Sequence, residues 1–310
     1  MFQPIRVPRP TTAIRSPATP ERSLDLFVFI AFITPNVITL SVFSYWPMIR
    51  NLFLSFTYWD MIAPEPLWVG LENWIEVLTS TTFWSVLRNT LVFTVGSVGI
   101  AVVIALGLSL LLNQKRRGRN VVRAAMFAPA ILPGSAIALV WTFLLAPYYG
   151  LISQAATGLG MPMTRWQNDP FWAMPTVILV VIWKSVGYDA VIFLAGLQGI
   201  PRELYEAARV DGANAWQRFV NVTVPGLSPV AFFLTVTSIL ASFQAFDVIR
   251  VMTNGGPVIA TTTLIFQVYT EAFVGFNAGR AATYATILFA LMLAITVVQI
   301  RMVEKRVTYE

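Results

Sequence analysis

Residues 202–219 read RELYEAARVDGANAWQRF and form a polar island in an otherwise apolar chain. Six of these eighteen residues are charged, whereas charged residues make up 12% of the whole sequence and hydrophobic residues 56%. A soluble domain is about 25% charged and about 45–50% apolar, so the chain departs from that class in the direction of a membrane protein. The island is therefore an interruption that needs a function of its own.

The island carries the start and stop signals of two short helices. Pro201 suits the first turn of a helix, and Gly212 suits the residue just past its end. Asn214 can cap a second helix, which Pro225 would stop before the apolar sequence resumes. These signals predict a helix–turn–helix hairpin over residues 200–225, whose mixed faces favour docking into a groove of another protein.

Long apolar stretches lie on both sides of the hairpin. A helix needs about 20 apolar residues to cross the hydrocarbon core, whereas a barrel strand needs only about 9–11, so stretches of this length indicate helices. The predicted spans are residues 26–49, 91–112, 124–147, 170–197, 226–246 and 281–300. The fold class is therefore an all-α integral membrane protein with six transmembrane helices and a hairpin between spans four and five. Pro129 and Pro133 predict a kink inside the third span.

Positive charges set the orientation of these spans. Of the 21 basic residues, 15 lie in the two tails, in the loop after span two and in the hairpin, which share one side of a six-span arrangement. The positive-inside rule makes this side the cytoplasm, so both termini are expected there. The basic balance therefore reflects topology and gives no support to nucleic-acid binding. The expected domains are a disordered tail at 1–23, a six-helix membrane domain at 24–300 and a second tail at 301–310.

Two residue types that many enzymes use are missing from the sequence. It contains no cysteine and no histidine, which removes the commonest general base, the commonest metal ligand and any thiolate metal site. It also lacks the G-x-x-x-x-G-K-[ST] loop that binds nucleotide phosphates. The chain is therefore expected not to be an enzyme and to bind no metal or cofactor itself.

The hairpin resembles the EAA motif of bacterial ABC importer permeases, which reads E-A-A, three residues, G, nine residues and I-x-L-P. The matching residues here are Glu206, Ala207, Ala208, Gly212 and the segment 222–225, in which valines replace the Ile and the Leu. The longer phrase GLQGIPRELYEAARVDGANAWQRF resembles the carbohydrate-uptake branch of that family. Two further phrases, TNGGPVIATTTLIF and the C-terminal TVVQIRMVEKRVTYE, most resemble permease subunits of glycerol-3-phosphate and glycerophosphodiester importers.

This resemblance implies the type I ABC importer permease fold in a bacterial cytoplasmic membrane. It also implies a heterodimer with a second homologous permease, two copies of an ABC ATPase that uses ATP and Mg²⁺, and an extracytoplasmic substrate-binding protein. The hairpin is then a cytoplasmic coupling helix that docks on the ATPase. The residues assigned to this coupling are Glu206, Ala207, Ala208, Asp211, Gly212 and Pro225.

An ionisable residue inside a span marks the expected cargo path. Lys184 lies in the fourth span, where a charge is costly and by default functional. It could contact a phosphate on the cargo, pair with Asp189, or cap backbone carbonyls. Gln244 and Asp247 could line the path or pack helices together, and Arg250 could attract an anion or lie at the interface. The full set assigned to the path is Trp183, Lys184, Tyr188, Asp189, Gln244, Asp247 and Arg250.

Two further segments are expected outside the membrane. Asn254, Gly255, Gly256 and Pro257 form a tight-turn sequence. In the family this turn lies near the binding protein, so docking and plain chain reversal both stay open. The loop at 57–85 is rich in aromatic and acidic residues, which suits either an interfacial belt or a docking surface.

The residues and the resemblance together predict the permease subunit of an ATP-driven, binding-protein-dependent importer. The implied cargo is glycerol-3-phosphate or a glycerophosphodiester such as glycerophosphocholine, and a di- or oligosaccharide such as trehalose or maltose is the alternative. A secondary transporter is a more remote alternative, because such proteins often show inverted repeats and no repeat is visible in this sequence.

Overall fold

The computed structural model describes residues 21–114, 117–160, 162 and 165–304 of the chain. It divides the chain into two units, Met1–Arg50 and Asn51–Glu310. The helices are α1 (Glu21–Leu40), α2 (Trp46–Leu54), α3 (Glu72–Thr79), α4 (Thr81–Leu112), α5 (Arg119–Ile131), α6 (Gly134–Leu144), α7 (Leu151–Gly158), α8 (Ala173–Gly199), α9 (Arg202–Val210), α10 (Ala215–Arg218), α11 (Val224–Phe243), α12 (Asp247–Met252), α13 (Leu264–Tyr269) and α14 (Ala278–Glu304). Most of the described chain is therefore helical, as the sequence predicts.

Short irregular elements complete the described chain. Strands β1 (Thr57–Tyr58) and β2 (Leu67–Trp68) pair antiparallel. Together with α3 and the first turn of α4, they replace the loop expected at 57–85. The π-helical turns are Ser41–Tyr45, Phe219–Thr223 and Thr270–Val274. Of the expected tails, residues 1–20 and 305–310 lie outside the described residues, and residues 21–23 belong to α1 rather than to a disordered segment.

The predicted six spans are recovered if one broken helix pair counts as a single span. Five described helical segments are long and apolar enough to cross a membrane: Leu26–Leu54, Thr81–Leu112, Ala173–Gly199, Ala215–Phe243 and Ala278–Arg301. The sixth is formed by α5 and α6, whose axes are bent by 102° relative to each other. The chain is therefore a multi-pass membrane protein by the length and composition of its helices.

The break in span three is larger than the kink that the prolines predict. Pro133 has no N–H group and disfavours helical geometry in the residue before it. Leu132 accordingly adopts an extended conformation, with φ −75° and ψ 145°. The chain leaves α5 at this residue and starts α6 at Gly134 in a new direction. One predicted rod at 124–147 is therefore two helices.

Helices α4, α8 and α11 form the centre of the second unit. α4 and α8 make its most extensive helix contact, and α11 packs against both. Phe93, Phe193 and Leu234 are fully buried between helices of this unit. In a bilayer such burial stabilises through close van der Waals packing rather than through exclusion of water. Gly187 lets α8 approach α5, because an ideal Cβ there would lie 1.7 Å from the carbonyl oxygen of Met126.

An ion-pair cluster ties α3 to the start of α14. The Arg280 guanidinium lies 3.0 Å from Glu76 and 3.2 Å from Glu271, which is buried. This cluster joins α3 to the π-helical turn Thr270–Val274 and to α14, which lie far from α3 in the sequence. The pKa of Asp60, between β1 and β2, is below its ordinary value. The main cause is that its carboxylate accepts a hydrogen bond from the backbone N–H of Ala63.

Candidate functional site

The first helix of the hairpin ends in a hydrogen-bonded Schellman motif. Gly212 has φ +77°, a left-handed conformation that glycine adopts without a steric penalty. Its N–H donates to the carbonyl of Arg209 at 3.0 Å, and the N–H of Ala213 donates to the carbonyl of Ala208 at 2.9 Å. These two bonds satisfy carbonyls that the end of α9 would otherwise leave free. The predicted stop at Gly212 is therefore confirmed.

The second helix starts at the predicted cap. The N–H of Gln217 donates to the Asn214 side chain at 2.9 Å, and the N–H of Asn214 donates to the Gln217 side chain at 2.8 Å. This reciprocal pair is a capping box. The Arg218 guanidinium also donates to the carbonyl of Ala213 at 2.7 Å. The turn between α9 and α10 is thus closed by hydrogen bonds on both sides.

The prediction that Pro225 stops the second helix is wrong. α10 continues through the π-helical turn Phe219–Thr223 into α11, so residues 215–243 form one rod. In this turn the N–H of Val224 donates to the carbonyl of Phe219, one residue further back than in an α-helix. The wider register accommodates a proline at the start of α11. The hairpin is consequently continuous with span five rather than separated from it.

A side-chain contact fixes α9 to this rod. The Tyr205 hydroxyl lies 3.0 Å from the Thr223 hydroxyl, and Thr223 is buried. Tyr205 also packs against the apolar cluster that includes Phe193 of α8 and Leu227 of α11. Packed and hydrogen-bonded contacts therefore connect the hairpin to spans four and five.

The outer surface of the hairpin is exposed and partly apolar. Val210 is 88% exposed and Trp216 is 70% exposed, although both lie on a segment rich in charge. Large exposed apolar side chains rimmed by polar residues are typical of a protein interaction surface. The predicted coupling residues Glu206, Ala207, Asp211, Gly212 and Pro225 are exposed, and Ala208 is half-buried.

A cavity of about 480 Å³ lies between α4, α5, α8, α11 and α12. It brings together five of the seven residues that the sequence assigned to the cargo path: Lys184, Tyr188, Asp189, Gln244 and Asp247. Three of these belong to α8, and the other two flank the end of α11 and the start of α12. The cavity volume suits a small cargo molecule.

The other two residues assigned to the path lie elsewhere. Trp183 packs edge to face against Trp141, at 5.6 Å between ring centroids, and lines a separate apolar cavity of about 320 Å³. The Arg250 guanidinium lies 5.3 Å from the ring centroid of Tyr269 and donates to the side chain of Asn254. The structure therefore brings neither Trp183 nor Arg250 to the main cavity.

Asp189 and Lys184 line the same cavity without forming an ion pair. Asp189 is only 2% exposed, and its Oδ2 has no hydrogen-bond partner among the residues that the structure describes. Among the described residues, the ion pairs that the structure shows join Arg280 to Glu76 and to Glu271, and Lys184 is not paired with Asp189. A buried carboxylate oxygen without a hydrogen-bond partner carries a free-energy cost.

Hydroxyl groups line much of the remaining wall, and the sequence alone did not single them out. Ser97, Ser185, Thr237 and Ser242 each donate a proton to a backbone carbonyl of their own helix, at 2.6 to 3.4 Å. A hydroxyl has one proton, so these oxygens face further partners mainly as acceptors. No short motif joins four hydroxyls on three helices, and only the packing of the spans reveals them as a set.

The expected tight turn is held by hydrogen bonds from two threonine side chains that follow it. Asn254 and Gly255 have φ +49° and +80°. The Thr262 hydroxyl donates to the carbonyl of Gly255 at 2.9 Å, and the Thr261 hydroxyl donates to the carbonyl of Gly256 at 2.8 Å. The turn 254–257 is therefore a shaped element of the chain between α12 and α13.

Residues 97–309 match a family model described as "Binding-protein-dependent transport system inner membrane component". The chain belongs to this family. The match covers α8, the whole hairpin, α11 and α14, and therefore the elements that carry the coupling motif and most of the cavity. The resemblance to importer permeases drawn from the hairpin is confirmed.

Named relatives of this permease are similar over nearly its whole length. The sn-glycerol-3-phosphate transport system permease protein UgpA of Yersinia pestis bv. Antiqua (strain Antiqua) is 35% identical over 296 residues, which cover 95% of this chain and 100% of the relative. The UgpA protein of Agrobacterium fabrum (strain C58 / ATCC 33970) is 34% identical over 284 residues, covering 89% and 94% of the two chains. The predicted class, a permease of a binding-protein-dependent importer, is thereby confirmed.

Solved structures share the fold of this permease. A bacterial ABC transporter that imports the acidic polysaccharide alginate matches with a TM-score of 0.80 and 22% identity, covering 93% of this chain and 99% of that one. A complex of the alginate transporter with a pentasaccharide-bound periplasmic protein matches with a TM-score of 0.78 and 22% identity, covering 90% and 94%. The predicted ABC importer permease fold is confirmed by these matches.

Proposed function

We propose that this permease imports glycerol-3-phosphate or a glycerophosphodiester as one half of an ATP-driven transmembrane pathway. A second homologous permease supplies the other half, two copies of an ABC ATPase drive the cycle with ATP and Mg²⁺, and an extracytoplasmic binding protein delivers the cargo. The chain resides in the bacterial cytoplasmic membrane with both termini inside. It hydrolyses no ATP itself, and the energy enters through the hairpin.

The hairpin is the proposed contact with the ATPase. Glu206 is an exposed acceptor for a charged or backbone donor of that partner. Ala207, Ala208 and Gly212 are small, which allows a partner surface to approach α9 closely. Because α10 and α11 form one rod, a displacement of the hairpin moves span five directly. The same displacement reaches span four through Tyr205 and the cluster around it.

The cavity is the proposed cargo path, and the charged groups that line it are the observation that carries the cargo assignment. The Lys184 ammonium offers a charge-assisted partner for a phosphate. The Asp189 carboxyl group, which lines the cavity, and the acceptor-rich hydroxyl wall suit the O–H donors of a glycerol group. Relatives that are 34–35% identical bear the name of a glycerol-3-phosphate permease, which supports this cargo.

The turn at 254–257 is the proposed contact with the external binding protein. It follows the outer end of span five in the orientation that the basic residues predict. Its own hydrogen bonds hold Asn254, Gly255, Gly256 and Pro257 in a fixed shape. A preformed loop loses little conformational entropy when a partner docks on it.

A neutral di- or oligosaccharide such as trehalose or maltose is the second candidate cargo. The observation in its favour is the charge of the cavity, which has one amine, Lys184, against two carboxyl groups, Asp189 and Asp247. That balance opposes a strongly anionic cargo unless Lys184 is its direct partner. The two candidates therefore differ in what they require of Lys184.

The test measures uptake of glycerol-3-phosphate, glycerophosphocholine, trehalose and maltose in a strain that lacks the chromosomal copy of this chain. Wild-type protein is expected to restore ATP-dependent uptake of the phosphate-bearing cargoes. Lys184→Gln should raise their KM by about tenfold or more, the worth of a hydrogen bond to a charged group. Trp183→Phe, one position away and outside the cavity, is the matched control and should leave the KM unchanged.

One outcome would contradict the cargo assignment, and two others would contradict other parts of the proposal. Uptake of a disaccharide without uptake of either phosphate compound would transfer the assignment to the second candidate. Normal phosphate uptake by Lys184→Gln would remove the ammonium from the cargo path. A wild-type chain whose transport needs neither ATP nor a binding protein would overturn the proposed mode of action altogether.

A further inference from the structure

Two interrupted helices meet at the wall of the cavity. α6 begins at Gly134, after the break in span three, and α12 begins at Asp247, after span five has ended at Phe243. An ideal Cβ built on Gly134 would lie 1.8 Å from Oδ2 of Asp247 and 2.6 Å from its Cγ. The carboxyl group therefore occupies the space that any larger residue at position 134 would fill.

The placement of this carboxylate has an electrostatic reason. The first turn of α6 leaves N–H groups without intrahelical acceptors, and Pro133 at the N-cap has no side chain that can accept from them. A carboxylate next to such a helix start interacts favourably with its partial positive charge. The other oxygen of Asp247, Oδ1, accepts from the N–H of Val248 at 2.9 Å. Unlike Asp189, Asp247 has its negative charge stabilised within the chain.

We propose that Asp247 is a positioning residue for transport, which holds α6 against α12 so that the two helices move as one body. The inference rests on the proposed function only in requiring a transport cycle. α12 follows the rod 215–243 after the short connection 244–246, through which a displacement of the rod reaches α12, and the contact at Gly134 makes α6 follow. Ala130, at the end of α5, and Val248 both line the cavity beside this contact, so the joint motion reshapes the cavity wall.

A distance measurement tests the joint motion directly. The native chain has no cysteine. Leu139→Cys on α6 and Val251→Cys on α12 would therefore be the only thiols of this chain, and each would carry a spin label. Both side chains are exposed. In the full complex, the label distance should stay the same between the nucleotide-free and ATP-bound states. Adding Asp247→Asn should make the distance change on ATP binding. An unchanged distance in the Asp247→Asn complex, or a changing one in the Asp247 complex, would overturn the proposal.

Transport kinetics separate positioning from contact with the cargo. Gly134→Ala keeps the carboxyl group but forces it away from the start of α6, and Asp247→Asn removes its charge. Both variants should lower the maximal uptake rate by about tenfold and leave the KM within about twofold. Gly99→Ala is the matched control, because a Cβ at this membrane-span position meets nothing within 4 Å. It should transport like the wild type.

The double variant Gly134→Ala/Asp247→Ala shows whether a clash alone explains the loss. The double variant relieves the clash but lacks the carboxylate. Its maximal uptake rate should therefore remain as low as that of the single variant Asp247→Ala, which is measured beside it. The positioning role would be contradicted if the double variant recovered the wild-type rate, or if Asp247→Asn alone raised the KM. If Asp247→Asn does not assemble, Gly134→Ala and the double variant decide. Failure of wild-type uptake would instead contradict the proposed function.

Discussion

The hairpin and the cavity are built in opposite ways. The contacts that shape the hairpin join residues close in sequence, such as Gly212 to Arg209 and Asn214 to Gln217. The cavity is assembled from five helices, and its lining runs from Ser97 to Val248. Local hydrogen bonds define the shape of the turn in the hairpin, whereas the cavity exists only when the whole bundle is packed. We therefore expect the hairpin to keep its shape and the cavity to change shape when the spans move.

The two regions also differ in how their polar groups are satisfied. In the hairpin, the Schellman motif and the capping box provide partners for the groups at both sides of the turn. At the cavity, Oδ2 of Asp189 is buried without a hydrogen-bond partner among the residues that the structure describes. Hydrogen-bonded polar groups stabilise one fixed shape, whereas a buried polar group without a partner raises the free energy of that shape. The difference predicts that hairpin variants alter coupling and that variants of Asp189 alter affinity.

The largest expected effect belongs to Gly212→Asp. Aspartate tolerates the left-handed backbone at a modest cost, and a Cβ at this position meets nothing within 4 Å in the chain. The variant should therefore insert and fold, but its charge projects from the surface assigned to the ATPase. We expect uptake to fall below detection while the amount of membrane-inserted protein, measured by immunoblot, stays normal.

Gly118→Asp is the matched control for this change. Gly118 has φ +83°, its Cβ would also meet nothing within 4 Å, and it precedes α5 rather than lying in the hairpin. Uptake by this control should stay within about twofold of wild type, as for most surface substitutions. An equal loss of uptake in both variants would attribute the effect to backbone strain. Normal uptake by Gly212→Asp would contradict the coupling role of the hairpin.

The same contrast explains how far the sequence could predict the structure. The stop at Gly212 and the cap at Asn214 were predictable, because both depend on residues within one helical turn. The continuation of the helix past Pro225 was not, because the π-helical turn that allows it has no sequence signature of its own. The break at Pro133 was predictable as a kink, but its angle depends on the packing around α6.

The cavity shows a different limit. Lys184 and Asp189 were found because a charge inside an apolar span is conspicuous. Trp183 was assigned with them by proximity, yet adjacent residues on a helix differ by about 100° in direction, and it faces a different cavity. The contact between Asp247 and Gly134 joins residues 113 positions apart, so no local pattern could reveal it.

An intermediate effect is expected from Asp189→Asn, which tests the affinity side of the comparison. The change keeps the size of the side chain but removes the charge from the oxygen that lacks a partner. Loss of a charge-assisted hydrogen bond to the cargo should raise the KM by about tenfold or more with little change in the maximal rate. Uptake measured over a range of cargo concentrations separates the two parameters.

Asp169→Asn provides the comparison for that variant, because Asp169 lies before α8, outside the cavity, where it accepts from the N–H of Phe171 at 2.8 Å. An asparagine oxygen can keep that bond, so its KM should equal the wild-type value. A reduced maximal rate at unchanged KM for Asp189→Asn would show that Asp189 contributes to coupling and not to cargo affinity.

The smallest effect is expected at the cap of α10. Asn214→Ala removes the capping box and should destabilise the start of the helix by about 1 kcal/mol. Since α10 is continuous with span five, the loss should loosen only its first turn, and hydrogen exchange at residues 215–218 should accelerate by roughly fivefold. Asn214→Asp keeps an acceptor at the cap and should exchange like the wild type. Unchanged exchange in Asn214→Ala would mean that the packing of the rod, and not the local hydrogen bonds, holds the hairpin in shape.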